Sequence, residues 1–417
     1  MSEWQKVRFD QLASPDRWAF SIGPFGSKVT TSDYREDGIP FIRGVNLAQG
    51  IFLDEGFVFI SEEKAKEIES ALVKPGDIVF TRKGTVGQVS MIPRNPRYEK
   101  YAISGSQVKS RVDERYALPE FYYYWFRSPA GQHNILEHAV TTGVPSLANS
   151  LQSIRGLMVP KPPLAEQSAV VKVLEALDDK IAVNERIAAT ARSLSRAKAA
   201  GALLSASGSI GLLGDHVEVT KGLSYRSTDL VPGDGHLVTL KCIDPTGAFK
   251  QNGLKPFSGV AKPAQIVKHG DVVVAQTDLT QRADVLGRSV RVAQLCGRDR
   301  LVASLDLAIV RPRGFLTPEY IDALFTSREF REHALSYANG TTVLHLGSRA
   351  IPEFSFTVPD GETVAAVTRA THALFETAVQ AQREASTLST LRDTLLPQLM
   401  SGRLRVKDAE KIVEDRT

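Results

Sequence analysis

Cysteine is scarce in this chain, with two in 417 residues, Cys242 and Cys296. Neither belongs to a Cys-x-x-Cys pair, which excludes a disulfide framework and a thiolate zinc site, so both read as buried thiols. No apolar run approaches the ~20 residues that a bilayer span requires. The opening Met1-Ser2-Glu3-Trp4-Gln5-Lys6 lacks the basic-then-apolar pattern of a secretory signal, and the expected location is the cytoplasm. Charge of either sign is not in large excess: 51 Lys and Arg against 47 Asp and Glu leave +4, a mild lean toward polyanions.

Catalytic signatures are missing as well. Gly23-Pro24-Phe25-Gly26-Ser27-Lys28 has glycines and a lysine without the spacing that cradles phosphates. It reads as a tight turn with a basic tip, or as a loop whose glycines let the main chain approach a DNA phosphate. Asn95-Pro96-Arg97-Tyr98 is close to the Asn-Pro-Pro-Tyr signature of adenine methyltransferases. Arginine stands at its third position and no glycine-rich cofactor turn accompanies it, so it reads as a proline-bounded turn. His133 and His138 are not at the i, i+4 spacing of a helical zinc pair. Asp178 and Asp179 point about 100° apart on a helix, which suits a solvated face better than paired acid–base work.

What the chain does contain is a repeat of itself at an offset near 200 residues. Gly38-Ile39-Pro40-Phe41-Ile42-Arg43 matches Gly235-His236-Leu237-Val238-Thr239-Leu240, and Gly50-Ile51-Phe52 matches Gly247-Ala248-Phe249. Pro75-Gly76-Asp77-Ile78-Val79 matches His269-Gly270-Asp271-Val272-Val273, and Pro119-Glu120-Phe121 matches Pro318-Glu319-Tyr320. That period is too long for a solenoid unit and describes two domains in tandem. β-branched and aromatic runs at 39–45, 57–60, 77–82 and 86–92 predict strands, and 61–70, 119–127 and 131–139 predict short helices. Phe121-Tyr122-Tyr123-Tyr124-Trp125-Phe126 suggests a base-stacking platform. Its twin, Tyr320-Ile321-Asp322-Ala323-Leu324-Phe325, lacks most of the aromatics, which favours a buried helix face with one or two tyrosine hydroxyls reaching solvent or phosphate.

Each half ends in a long helical pattern. After Pro162-Pro163, the residues Leu174, Leu177, Ile181, Asn184, Ala188 and Ala191 share one seam, in a helix running to about Leu204. Forty helical residues extend about 60 Å. The second helix opens at Asp360 as N-cap. Val367, Leu374, Ala381, Leu388 and Leu395 form its heptad ladder, with Val364, Thr371, Ala378 and Ala385 alternating. Pro397 is expected to stop or kink it. The expected class is α+β: a first domain at 1–163, a spacer helix at 164–206, a second domain at 207–360, a second spacer helix at 361–405 and a flexible tail at 406–417. The helices are expected to pair as an antiparallel coiled coil with pseudo-twofold symmetry, through Leu174, Leu177, Ile181, Leu374, Leu388 and Leu395.

In this order the motifs resemble the specificity subunit of type I restriction–modification systems. The resemblance rests on Gly23-Pro24-Phe25-Gly26-Ser27, Gly38 to Arg43 and Thr81-Arg82-Lys83-Gly84-Thr85-Val86-Gly87. Pro162 to Gln167 with Leu177-Asp178-Asp179-Lys180-Ile181, and Leu391-Arg392-Asp393-Thr394-Leu395-Leu396-Pro397-Gln398-Leu399-Met400-Ser401-Gly402, complete it. In the second half, Gly222-Leu223-Ser224 copies the first turn poorly, and Gln276-Thr277-Asp278-Leu279-Thr280 replaces the Arg82 run. The resemblance implies a non-catalytic chain with two target recognition domains that read a split, asymmetric site on double-stranded DNA. It implies two modification (methyltransferase) subunits as partners, with S-adenosylmethionine on them and no cofactor or metal in this chain, and it leaves room for restriction or translocase subunits.

Candidate DNA contacts are basic and amide side chains on turns: Lys28, Arg43, Arg82, Lys83, Arg94 and Arg97 in the first half. Arg226, Lys241, Gln276, Gln281, Arg282 and Arg288 are the candidates in the second. Arginine can hydrogen-bond a guanine edge or hold a phosphate without reading anything, and an amide can pair bidentately with adenine. Two other classes remain open: an enzyme that modifies DNA unaided, and a coiled-coil scaffold that binds only proteins.

Overall fold

The computed structural model describes residues 4–26, 28–204, 206–294 and 300–414, apart from the side chains of 48, 49 and 414. Cys296, Ser27 and Ser205 lie outside the described residues. The chain forms two compact units, residues 1–179 with 388–417 and residues 180–387. The boundaries expected from sequence follow secondary structure, whereas compactness divides both long helices between the units.

The first unit is built on two four-stranded sheets. Its strands are β1 (Phe20–Ile22), β2 (Ile39–Ile42), β3 (Val58–Ile60), β4 (Leu72–Val73), β5 (Ile78–Thr81), β6 (Val89–Met91), β7 (Tyr101–Ile103) and β8 (Gln107–Ser110). They run in the orders β1-β8-β5-β6 and β3-β2-β7-β4. Helix α1 (Pro119–Arg127) and the long α2 (Leu164–Leu204) follow.

The second unit repeats the plan. Its strands are β9 (Val217–Lys221), β10 (Gly235–Val238), β11 (Lys255–Phe257), β12 (Ile266–Val267), β13 (Val272–Ala275), β14 (Ser289–Arg291), β15 (Arg300–Ala303) and β16 (Leu307–Pro312). They run in the orders β9-β16-β13-β14 and β11-β10-β15-β12. Even the parallel pair recurs, β2 with β7 and β10 with β15. Helix α3 (Pro318–Thr326) matches α1, and α4 (Gly361–Met400) is the second long helix.

Small chemical devices recur with the topology. Gly76 and Gly270, both at positive φ, turn the chain into β5 and β13. The next residues, Asp77 and Asp271, accept the N–H of Lys74 and Lys268 at 3.0 Å and pair with Arg111 and Arg311 at 2.6 Å. A close approach is shared too: a Cβ on Gly23 would lie 2.0 Å from the Ser104 carbonyl oxygen, and one on Gly222 2.0 Å from that of Ser304. The turn that looked poorly copied in sequence therefore keeps the glycine its packing requires.

In the first unit, Leu174 and Leu177 of α2 and Leu388 and Leu395 of α4 are buried. Asp178, expected on a solvated face, accepts Arg392 Nη1 at 2.6 Å and the Tyr124 hydroxyl at 2.8 Å. In the second unit, Ala188 and Ala191 cluster with Ala378 and Ala381, Leu374 packs beside them, and Ile181 is buried. Lys180 meets Glu384 at 3.3 Å, so rising numbers on α2 meet falling numbers on α4: the pairing is antiparallel. Alanines at these positions let helices approach closely. The Asp360 carboxylate caps α4 by accepting the Thr363 N–H at 2.7 Å.

Three expectations are corrected. Of the two outcomes expected at Pro397, a stop or a kink, the stop does not occur: α4 continues to Met400. The tail expected to be flexible forms α5 (Val406–Glu414), with Ala409 buried. The α1 aromatics are buried as argued, but no hydroxyl is left for solvent or phosphate: Tyr122 donates to Pro160 O, Tyr123 to Gly50 O and Tyr124 to Asp178. Cys242 is buried, which raises its thiol to about 11.

One position breaks the repeat inside the sheet. Lys109 stands opposite Val79 as Ile309 stands opposite Val273. Lys109 is 1% exposed, donates to the Leu72 carbonyl, and is pushed down to about 8 by burial. Its folded value lies below the unfolded one, so the ammonium costs stability in full below pH 8, and the cost fades as pH rises toward 10.5. Lys109→Ile, copying the second unit, is expected to stabilise the chain at pH 7 by about 1–3 kcal/mol and to abolish a gain in stability between pH 8 and 10. Urea melts across that range check it; an unchanged or lower midpoint at pH 7 contradicts the assignment.

Candidate functional site

Loops at the ends of β1, β5 and β7 form an open cleft of about 390 Å³ in the first unit, lined by Pro24, Phe25, Tyr34, Phe41, Arg82, Lys83, Ser104 and Ser106 among others. The glycine contact at Gly23 brings the 23–26 turn against Ser104, and Gly105 leaves room for Pro24 O. Phe25 is 64% exposed at the tip, and Lys28 joins the same turn by donating its N–H to Phe25 O at 2.8 Å. The Arg82 guanidinium lies 5.9 Å from the Phe25 ring, held by Nε donating to Gly105 O at 2.8 Å. Burial lowers its pKa, but a guanidinium stays charged. Lys83 is exposed beside it. An aromatic face, two cations and serine hydroxyls in an open cleft suit an extended anion with stacking and hydrogen-bonding groups.

The cleft thus gathers Arg82 and Lys83, with Lys28 on the adjoining turn, and leaves out the other candidates of this unit. Arg43 is half-buried, with Nη2 reaching Gly56 O at 3.4 Å. Arg97 lies over the Tyr98 ring, its N–H bonded to Asp54 at 2.7 Å. Arg94 belongs to the framework: it pairs with Glu120 at 2.6 Å and Glu114 at 2.9 Å, and in the second unit the equivalent Glu319 pairs at 2.7 Å with Arg291, which comes from a different strand position. Its neighbouring carboxylates, Glu120 first, raise the Arg94 pKa further.

In the second unit the corresponding loop follows β13. Burial alone would raise Asp278, but the N–H groups of Thr280, Val285 and Leu286 outweigh it and hold the carboxylate below its usual range. Around this anchor run Gln276, Gln281, Arg282 and Arg288. Gln276 is half-buried and its amide has no hydrogen-bond partner among the described residues. Gln281 donates to Thr341 O at 2.6 Å, Arg282 is exposed, and Arg288 donates to Asp284 O at 3.2 Å. Arg226 and Lys241 are exposed on separate turns and are not drawn to this loop by any contact.

Sequence reasoning missed the hairpins behind both loops. Strands Ala139–Val140 and Ser146–Leu147 back the first: Gly84 donates its N–H to Pro145 O at 2.9 Å, and Lys83 bridges to Ser146. Ala338–Asn339 and Leu344–Leu346 back the second, where Thr277 pairs with His345. The available signal was Thr141-Thr142-Gly143 answering Gly340-Thr341-Thr342 at the same offset as the rest of the repeat. Ser104 and Ser106 were also missed, because serine on a turn looks like any solvated loop. Among the described residues no group of His, Cys, Asp and Glu is placed to hold a metal ion, and no helix is long and apolar enough to cross a membrane.

Residues 2–191 match the family described as type I restriction modification DNA specificity domain. No curated relative matches the chain. Among solved structures it is similar to the S subunit of a Type-I restriction-modification system from M. genitalium, with TM-score 0.60 and 15% identity over 95% of this chain and 96% of that one. At that identity the likeness is one of fold. The HsdS subunit from Thermoanaerobacter tengcongensis also aligns, at TM-score 0.36 and 15% identity over 96% and 97% of the two chains.

The ion pairs separate framework from loop. Arg94→Ala strands Glu120 in a site where its side chain is 11% exposed, and is expected to cost about 1–3 kcal/mol of stability. Arg97→Ala, on an exposed turn, is expected to stay within about 0.5 kcal/mol. Denaturant midpoints compare them; equal losses would contradict the division.

Proposed function

We propose, from the match of residues 2–191 to the family described as type I restriction modification DNA specificity domain, that the whole chain is a non-catalytic subunit that reads a bipartite, asymmetric site on double-stranded DNA. Each unit takes one half-site, and the paired helices set the gap between them. Two modification subunits dock on the chain and carry S-adenosylmethionine; restriction or translocase subunits join in a complete system. The observation that carries this is the repeat of one sheet topology in both units with different side chains on equivalent loops. Two copies of one scaffold with divergent loops suit a ligand whose two halves differ.

The chemistry within reach supports binding rather than reaction. The gathered groups of the first unit are cations, hydroxyls and one aromatic ring. Such groups hold phosphates and base edges, and none is paired with a general base or a nucleophile. Purified chain incubated with DNA and labelled methyl donor is expected to transfer nothing, and transfer by the chain alone would contradict the proposal.

A scaffold that binds only proteins differs in its response to salt. Contacts to several phosphates predict an affinity for duplex DNA that falls by about a thousandfold between 50 and 200 mM salt, whereas a scaffold shows no slope. Filter binding across that range decides it.

The helix ruler has its own test. Ala188 and Ala381 meet in one cluster, so a helical turn inserted beside each keeps the seam in register. Such a pair adds about 5.4 Å and is expected to widen the gap between half-sites by one or two base pairs. Mapping methylated positions in cells carrying the variant reads the gap; an unchanged gap contradicts the ruler.

A further inference from the structure

We propose that Arg82 and Gln276 occupy one and the same base-reading position in the two units, arginine selecting guanine in one half-site and glutamine selecting adenine in the other. This rests on the DNA-reading function proposed above and names the residues that set its specificity.

The two positions are equivalent by backbone bonding. Arg82 donates its N–H to Ser106 O at 2.8 Å and accepts the N–H of Leu147 at 2.8 Å. Gln276 donates to Asp306 O at 2.7 Å and accepts from Leu346 at 2.8 Å. Both follow equivalent central strands, β5 and β13, and both are backed by the hairpin after the short helices. Main chain this tightly bonded fixes where the side chain starts. The side chain alone differs.

The framework arginines behave otherwise. Arg111 and Arg311 stand at equivalent positions and face the equivalent acids Asp77 and Asp271, while the equivalent Glu120 and Glu319 each hold an arginine from a different strand position, Arg94 or Arg291. Each of these structural arginines comes with its carboxylate. Arg82 has no carboxylate partner among the described residues, only the carbonyl of Gly105 on Nε. That bond orients the guanidinium and leaves its Nη groups at the cleft. Gln276 is half-buried, and among the described residues neither end of its amide has a protein partner. The amide atoms are not sealed from solvent, so a base edge can take the place of water there.

The pair of chemistries fits base edges. A guanidinium fork matches guanine O6 and N7, and a carboxamide matches adenine N6 and N7, each through two bonds. Equivalent positions filled with the guanine-matching and the adenine-matching side chain are what two units reading different half-sites require.

The test uses the full chain and a pool of random-sequence 40-base-pair duplexes, with bound DNA sequenced after selection. Wild type is expected to enrich two separated blocks. Arg82→Gln is expected to exchange one guanine for adenine in one block, and Gln276→Arg one adenine for guanine in the other, each with roughly 10- to 100-fold changes in preference at that base pair. Arg82→Lys keeps the charge but not the fork, and is expected to lose the guanine preference while non-specific affinity stays within about threefold. Binding retained with unchanged base preference in all three variants overturns the assignment while leaving the proposed function standing. A uniform loss across all sequences marks Arg82 as a phosphate contact and overturns it too. If wild type enriches no sequence at all, the DNA-reading function itself fails, and this assignment with it.

Discussion

The backbone bonds that seat each loop on its central strand are the constraint from which the rest follows. In both units the residue after the strand gives its N–H to one neighbouring turn and receives an N–H from a hairpin across the sheet. With its main chain satisfied on both sides, that residue cannot shift without leaving a polar group unpaired, which costs about 1–3 kcal/mol. The side chain is then the only free variable. Substitution at this position leaves both backbone bonds in place, although the Arg82 side chain also donates to Gly105 O.

Around this the same few devices are used twice. Glycine before an aspartate turns the chain into the central strand, and the aspartate pairs with an arginine further along the same unit, Arg111 or Arg311. A second glycine allows backbone to touch backbone at Ser104 or Ser304. Where the units differ, they differ in filling: Lys109 against Ile309 in the sheet, and the tyrosines of α1 against Asp322 and Ala323 of α3. These exchanges alter stability and leave the strand order untouched.

Much of this was legible in the sequence. The tandem repeat, the limits of α1 at Pro119 and Arg127, the Asp360 cap and the heptad from Val367 to Leu395 all follow from periodicity and capping chemistry that act locally. The candidate site was less legible, because its residues come together from loops far apart in the chain. Arg82 and Arg94 were both candidates for DNA contact; Arg82 lines the cleft, whereas Arg94 faces Glu120. Nothing in a linear sequence distinguishes an arginine aimed at a ligand from one aimed at an acid 26 residues away. Asp178 shows the same limit: on a helical wheel it looks solvated, and only tertiary packing brings Tyr124 and Arg392 to it. Pro397 inside α4 shows that packing along a long helix can outweigh a local breaker.

The most direct test is a structure of the full chain bound to its preferred duplex. The distance from the Arg82 guanidinium and from the Gln276 carboxamide to the nearest base-edge atom decides the matter. The account predicts about 3 Å in both cases, to bases in different half-sites. Duplex held on another face of either unit, with both side chains left in solvent, would contradict it.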